Sequence, residues 1–212
     1  MDVHSRSRHD ADLVTYYTRE VHERVHRELP AQRVVRRGAY LEQLEREGRR
    51  SVLEIGAGPG QDGVAFAAAG CLYTGVDLTP ASVTACRSQG LAACVASVLD
   101  LPFATGSFDA GWTMSTLLHV ADDDLDAALA EIVRVLRPGA PLAVGTWGDW
   151  TGGESVWQGT AGADPPRFFS IRTDDALRAV LGRHGVIEQW TTWPGPDDLH
   201  YQWALLRTPG GP

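Results

Sequence analysis

The stretch Val52–Gly60 reads Val-Leu-Glu-Ile-Gly-Ala-Gly-Pro-Gly, and it constrains the fold more than any other part of the chain. A short apolar strand breaks at once into a turn with three glycines. A helical segment, Gln61–Ala69, follows and is closed by Gly70. The unit then recurs: a strand Leu72–Val76 ending at Asp77, a helix Pro80–Gln89 ending at Gly90, a strand Ala92–Ser97. Further along come a strand Phe108–Met114, a helix Asp124–Leu136 with the turn Pro138-Gly139 after it, and a strand Pro141–Trp147. Strands that alternate with helices in this way build βαβ units, with a parallel sheet covered by helices on both faces. The class expected is α/β, in three layers.

The flanks differ. Leu13, Tyr16, Tyr17, Val21 and Val25 recur at three- and four-residue steps, which predicts a helix over about 11–29 that Pro30 ends. A second helix is predicted over about 32–47. Residues 148–167 are rich in Gly, Trp and Asp without periodicity and read as a long loop, a length usual for lids and binding segments. Thr173 is placed to cap a helix over 174–184. Val186–Trp193 and His200–Arg207 flank the turn Pro194–Asp198, so they are expected to pair antiparallel.

Charge narrows the partners. Residues 1–50 carry 11 Arg and 9 acids, whereas the remainder carries 8 Arg and 18 acids. So acidic a remainder repels phosphate backbones, and no nucleic-acid partner is expected. Every basic residue is Arg, which excludes a lysine Schiff base or lysine general base. Cys71, Cys86 and Cys94 form an odd, widely spaced set with neither metal nor disulfide spacing. A reducing cytoplasm, no metal and no membrane association are the expectations, since no apolar run reaches spanning length and the polar first ten residues lack a signal-peptide core.

Ligands of open α/β sheets sit beyond the carboxyl ends of the strands at the switch point, so the glycine turn is the expected site. A dinucleotide fingerprint requires G-x-G-x-x-G. Here Gln61 stands where the third glycine belongs, and the spacing is Gly56, Gly58, Gly60. Glu54, two residues before the turn, is a poor neighbour for a pyrophosphate and suits a ligand with a positive group. An acid buried in a strand costs several kcal/mol unless satisfied. Asp77, ending the second strand 21 residues after Gly56, suits the two hydroxyls of a ribose. A carboxylate for an ammonium, a turn without a phosphate seat and a ribose clamp together describe S-adenosylmethionine.

On these residues the chain resembles the class I S-adenosylmethionine-dependent methyltransferases of small-molecule type. "VLEIGAGPG" resembles the first motif of that family, "YTGVDLTPASV" its ribose strand and turn, and "DLPFATGSFDAGW" its adenine-side loop and fourth strand. "LLHVADDDLDAALAEIVRVLRPGAPLAVGTW" resembles the stretch through strand five, and "RFFSIRTDDALRAVLGRHG" the segment before the final hairpin. The resemblance implies a Rossmann-like sandwich whose mostly parallel seven-stranded sheet ends in an antiparallel hairpin. It implies two parts, a helical cap over the active site in 1–49 and a cofactor-binding domain in 50–212, forming one unit. It implies cofactor contacts from Glu54, Gly56, Ala57, Gly58, Gly60, Asp77, Leu78, Ser97, Val98 and Met114, and S-adenosylhomocysteine as product. Ser97 stands where the family often has an acid for the adenine amine, so the backbone of Val98 is the other reader.

His119 admits two readings, a general base titrating near pH 6.5 or a packed histidine shaping its loop. It is the catalytic candidate. For the acceptor the candidates are Tyr16 and Tyr17, from the helix that covers the cofactor in related enzymes, with His119, Trp147 and Trp150. Asp62, opening the helix after the glycines, is read as favouring the helix dipole. The expected function is methyl transfer to an N, O, S or C nucleophile of a small molecule. An enzyme of this fold that uses the cofactor without methylating, cyclase- or decarboxylase-like, is the alternative, as is a cofactor-binding partner subunit. The chain is expected to be a monomer or homodimer, and the arginine-only, alanine-rich composition suggests secondary metabolism.

Overall fold

In the computed structural model, which describes residues 3–158 and 165–211, nine strands and six α-helices alternate along the chain. They are α1 Val3–His26, α2 Ala31–Arg46, β1 Ser51–Ile55, α3 Gln61–Ala68, β2 Leu72–Asp77, α4 Pro80–Ser88, β3 Ala92–Val95 and β4 Ala110–Met114. Then follow α5 Asp122–Val135, β5 Pro141–Gly148, β6 Gly153–Trp157, β7 Arg167–Ile171, α6 Asp174–His184, β8 Val186–Pro194 and β9 His200–Arg207.

Seven strands form one sheet in the order β3-β2-β1-β4-β5-β9-β8. β1 to β5 pair parallel; β9 runs antiparallel between β5 and β8. The strand order reverses between β1 and β4, which fixes where a ligand crevice opens.

Period-two alternation divides the core into two layers. Leu53 and Ile55 of β1, Leu142 and Val144 of β5 and Leu206 of β9 face one way and pack on α5 and α6. Leu125, Ala128, Leu129 and Ile132 supply the apolar stripe of α5 at helical spacing. Val52, Ala143, Trp203 and Leu205 face the other way, against Tyr40 and Leu44 of α2 and Phe66 of α3. Tyr40 is fully buried and donates its hydroxyl hydrogen toward the carbonyls of Gly111 (2.8 Å) and Pro141 (2.9 Å), which ties α2 to the sheet. α1 lies against α4 and β7.

One sequence expectation fails here. Residues 148–167 are not a long loop throughout: Gly153–Trp157 and Arg167–Ile171 pair antiparallel as a separate two-stranded sheet. Every residue of β6 is exposed, so no polar–apolar alternation marks it in the sequence. Residues 159–164 of that segment lie outside the described residues. β4 also starts two residues later than its apolar run, because Phe108 bridges to Leu136 beyond α5. Among the described residues no helix is long and apolar enough to cross a membrane.

Candidate functional site

A cleft opens at the carboxyl ends of β1, β2 and β4, where the strand order reverses. Its floor is the glycine turn. The N–H groups of Gly56 and Ala57 both donate to the Val76 carbonyl (2.8 and 3.0 Å), so the turn is pinned to the end of β2. Gly58 sits at φ +54°, and a Cβ built there meets no atom within 4 Å: its backbone is bare toward open space. That is the geometry a turn needs if a ligand is to lie against it.

Asp77 closes the other side of the turn. Its carboxylate accepts the Gly58 N–H (2.8 Å) and the Thr79 N–H (2.8 Å). Burial pushes its pKa up, and those two backbone donors pull it down. The Thr79 side chain bonds the carboxylate as well, so fewer than half of its acceptor sites remain for the hydroxyls of a ligand. Asp77 lines the cleft together with Gly56, Ala57, Gly58, Leu78, Ser97, Val98 and Met114. The Ser97 hydroxyl oxygen accepts the Leu99 N–H (3.3 Å), which shapes the turn after β3.

Two of the expected cofactor residues stand elsewhere. Gly60 does not line the cleft. It begins α3 at φ +90°, and a Cβ there would approach Leu91 Cδ1 to 2.7 Å, so this glycine serves the packing of α3 on α4. Glu54 lies behind the turn, 1% exposed and outside the cleft wall. Strand alternation sends its side chain into the α3 layer, where Oε2 accepts the Tyr73 hydroxyl at 2.6 Å and Oε1 has no hydrogen-bond partner. Arg33 Nη2 is 3.8 Å from Oε1. The protein thus satisfies one of its two oxygens, and the side chain lies outside the cleft wall.

Burial and the nearby Asp62 push the Glu54 carboxyl up to about 8, against the opposing pull of Arg33 and Tyr73. The folded protein therefore holds a proton that the unfolded chain releases above about 4.5, and stability falls as pH rises from there to about 8. Glu54→Gln keeps an acceptor for Tyr73 and removes the titration. Calorimetric unfolding between pH 5 and 8.5 is expected to show the melting temperature falling in the unmutated protein and flat in the variant. Each pH unit that separates the folded from the unfolded pKa corresponds to about 1.4 kcal/mol. Parallel curves would show that Glu54 is ionised in the fold.

The group that organises this layer is one the sequence assigned a lesser role. Asp62 is fully buried and is no mere helix-dipole partner. Its carboxylate accepts from Arg33 Nε (2.7 Å), Arg37 Nη1 (2.6 Å) and Trp112 Nε1 (2.8 Å). Arg33 and Arg37 are one helical turn apart on α2, and that i, i+4 spacing was the signal available in the sequence. Arg33 also lines the cleft, which puts a cation in its wall.

The remaining wall comes from α1 and β7. Tyr17 lines the cleft and lies 2.7 Å, hydroxyl to Nε2, from His119, which follows β4 in a short 3-10 turn. Tyr16 does not line the cleft. Its ring carries the Arg167 guanidinium at 4.0 Å, and Arg167 also stacks on Trp157 at 4.3 Å, so this cation–π group fastens α1 to the β6–β7 hairpin. Trp147 and Trp150 are also absent from the wall. Trp147 packs edge-on against Tyr201, and Trp150 is 78% exposed beside His200. Sequence reasoning missed Leu13, Arg24 and Phe168, which line the cleft beside Tyr17 and His119.

Comparisons with known proteins fit this geometry. Residues 53–144 match the family described as a methyltransferase domain. An O-methyltransferase of Aspergillus nomiae is 34% identical over 102 residues, covering 44% of this chain and 44% of the relative. A demethylmenaquinone methyltransferase of Corynebacterium kroppenstedtii is 31% identical over 108 residues, covering 51% and 46%. The chain thus spans less than half the length of these curated relatives. Among solved structures, the Burkholderia thailandensis 1,6-didemethyltoxoflavin-N1-methyltransferase, solved with that compound and S-adenosylhomocysteine bound, superposes with a TM-score of 0.75 at 24% identity. The match covers 99% of this chain and 91% of that one. A [4+2]-cyclase shares the fold with a TM-score of 0.63 at 21% identity, over 77% and 76% of the two chains.

Proposed function

We propose that this chain, which carries a methyltransferase domain, transfers a methyl group from S-adenosylmethionine to a small-molecule acceptor and releases S-adenosylhomocysteine. The observation that carries the reading is the pairing of a bare Gly58 with a half-buried Asp77 at the sheet's switch point. That pairing supplies a close approach for the aminoacyl part of the ligand and spare acceptor sites for the ribose hydroxyls.

The donor set fits this cofactor. Asp77 would hold the ribose. Ser97 and Val98, after β3, would meet the adenine. Arg33, whose Nε and Nη2 are turned to Asp62, would present the rest of its guanidinium to the cofactor's carboxylate. When bound, the cofactor supplies a methyl carbon on a sulfonium, a good leaving group. The protein's part is to bind, to align and to keep water out. Alignment of two reactants is worth about 7–11 kcal/mol of barrier. Met114 at the end of β4 and Leu13 and Phe168 from the cover make an apolar stretch of wall that would help to keep water out.

Titration calorimetry with S-adenosylmethionine and S-adenosylhomocysteine tests the reading, with mass spectrometry of the products. Asp77→Ala is expected to weaken both ligands by roughly tenfold to a hundredfold, the value of one or two charge-assisted hydrogen bonds at about 1.5–3 kcal/mol. Equal affinity in the variant would remove the ribose assignment. Binding without any methylated product from a broad acceptor panel would favour a use of the cofactor other than methylation.

A further inference from the structure

The contact between Tyr17 and His119 carries an inference that rests on the reading above and deepens it. His119 Nδ1 lies 2.8 Å from the Phe168 carbonyl oxygen. A carbonyl only accepts, so Nδ1 bears the hydrogen. Burial, with Arg167 and Arg24 nearby, pushes the imidazole down to about 4, so at neutral pH the ring is uncharged and Nε2 is a lone pair. The Tyr17 hydroxyl, 2.7 Å away, must then donate to Nε2. Its own oxygen is left as a pure acceptor on the wall of the cleft.

We infer that Tyr17 and His119 form a two-step proton relay, in which the Tyr17 oxygen is the group that touches the acceptor and the acceptor presents an acidic hydroxyl, a phenol or an enol. A neutral amine needs no base before it attacks; a hydroxyl must lose its proton as it gains the methyl carbon. That proton passes to Tyr17 Oη while Tyr17's own proton passes to His119 Nε2. Tyr17 ends as it began, and the positive charge lost from the sulfonium reappears on the imidazolium, held by the Phe168 carbonyl. An imidazole this reluctant to charge takes protons well only from an acidic partner. The charged and titratable groups around Tyr17 are Arg24, over its ring at 4.9 Å, Arg167 from β7, Tyr16 beside it, and Asp77 across the cleft. Burial holds the Tyr17 hydroxyl above its ordinary pKa against the pull of the two arginines, so it gives up its proton only as it receives another.

The test uses the whole chain and has two arms. In the first, nitrogen NMR of histidine-labelled protein saturated with S-adenosylhomocysteine reads the His119 tautomer without any turnover. The expected result is a neutral ring at pH 7, protonated at Nδ1, whose Nε2 signal moves toward that of an unbonded nitrogen in Tyr17→Phe. A ring protonated at Nε2, or no response to Tyr17→Phe, overturns the relay.

In the second arm a panel of aminophenols offers a hydroxyl and an amine on one ring. Methyl on oxygen is expected; methyl on nitrogen alone overturns the hydroxyl assignment. Tyr17→Phe and His119→Gln are each expected to lower kcat by roughly 10²–10⁴-fold, with the affinity for S-adenosylmethionine unchanged. The double variant should be no worse than either single, because the two act as one unit. Losses that multiply, or that fall on KM alone, overturn the relay. Absence of S-adenosylmethionine binding in the unmutated protein would overturn the proposed function instead, which keeps the two failures apart.

Discussion

Asp62→Ala is expected to cost roughly 3–5 kcal/mol of folding stability, the range for removing one partner from a buried ion pair. The carboxylate is completely buried and is the common acceptor for Arg33, Arg37 and the Trp112 indole. Arg33 and Arg37 are 18% and 14% exposed, so water restores little of what they lose. Trp112 is fully buried and keeps an unpaired N–H. Urea unfolding reads the effect as a lowered midpoint at constant slope. Asp62→Asn, which retains an acceptor oxygen but not the charge, should fall between. A loss below about 1 kcal/mol, the worth of an ordinary hydrogen bond, would mean that α2 swings its arginines out to solvent and that the layer is less fixed than its geometry.

Gly58→Val is expected to leave the fold standing and to remove cofactor binding, by more than a hundredfold. A Cβ at this position finds no protein atom within 4 Å, so nothing in the chain resists it sterically. The backbone at φ +54° does resist, at a cost of roughly 1–2 kcal/mol for a side chain in the left-handed region. A domain of ordinary stability tolerates that loss. The isopropyl group would stand in the space where the ligand must lie against the turn. Calorimetric titration with S-adenosylmethionine checks the first effect and thermal melting the second. Retained affinity would move the binding seat away from the turn; a collapsed fold would make the glycine a purely structural requirement.

What the sequence revealed followed how locally each feature is encoded. The turn and the place of Asp77 beside it were legible because Gly56, Gly58 and Asp77 are close in sequence or on adjacent parallel strands, and the strand–helix alternation fixes which ends of the strands they share. Glu54 was correctly singled out as an acid that demands a partner. The protein partners it has come from Tyr73 on the neighbouring strand and Arg33 on a helix before the sheet, which no local pattern announces. Gly60 has the spacing of a ligand glycine, yet its neighbours Leu91 and Cys86 lie about thirty residues away and leave no mark on the local pattern. Tyr17 and His119 were both candidates, but 102 residues separate them, and only the fold shows that they touch. The β6–β7 pairing escaped notice because β6 is exposed throughout and has no buried face to impose a period, although β7 alternates.

The place of β9 has a consequence for how the molecule assembles. Among the described residues β8 has no neighbour in the sheet except β9, and β9 is buried along nearly its whole length between β8 and β5. The strand made earlier therefore waits at the margin for the one made later. Joined across a short turn, the two strands are expected to pair with each other before they dock on the parallel half. Docking of that pair onto β5, a pairing far less local than their own, is expected to be slower than the closure of their turn.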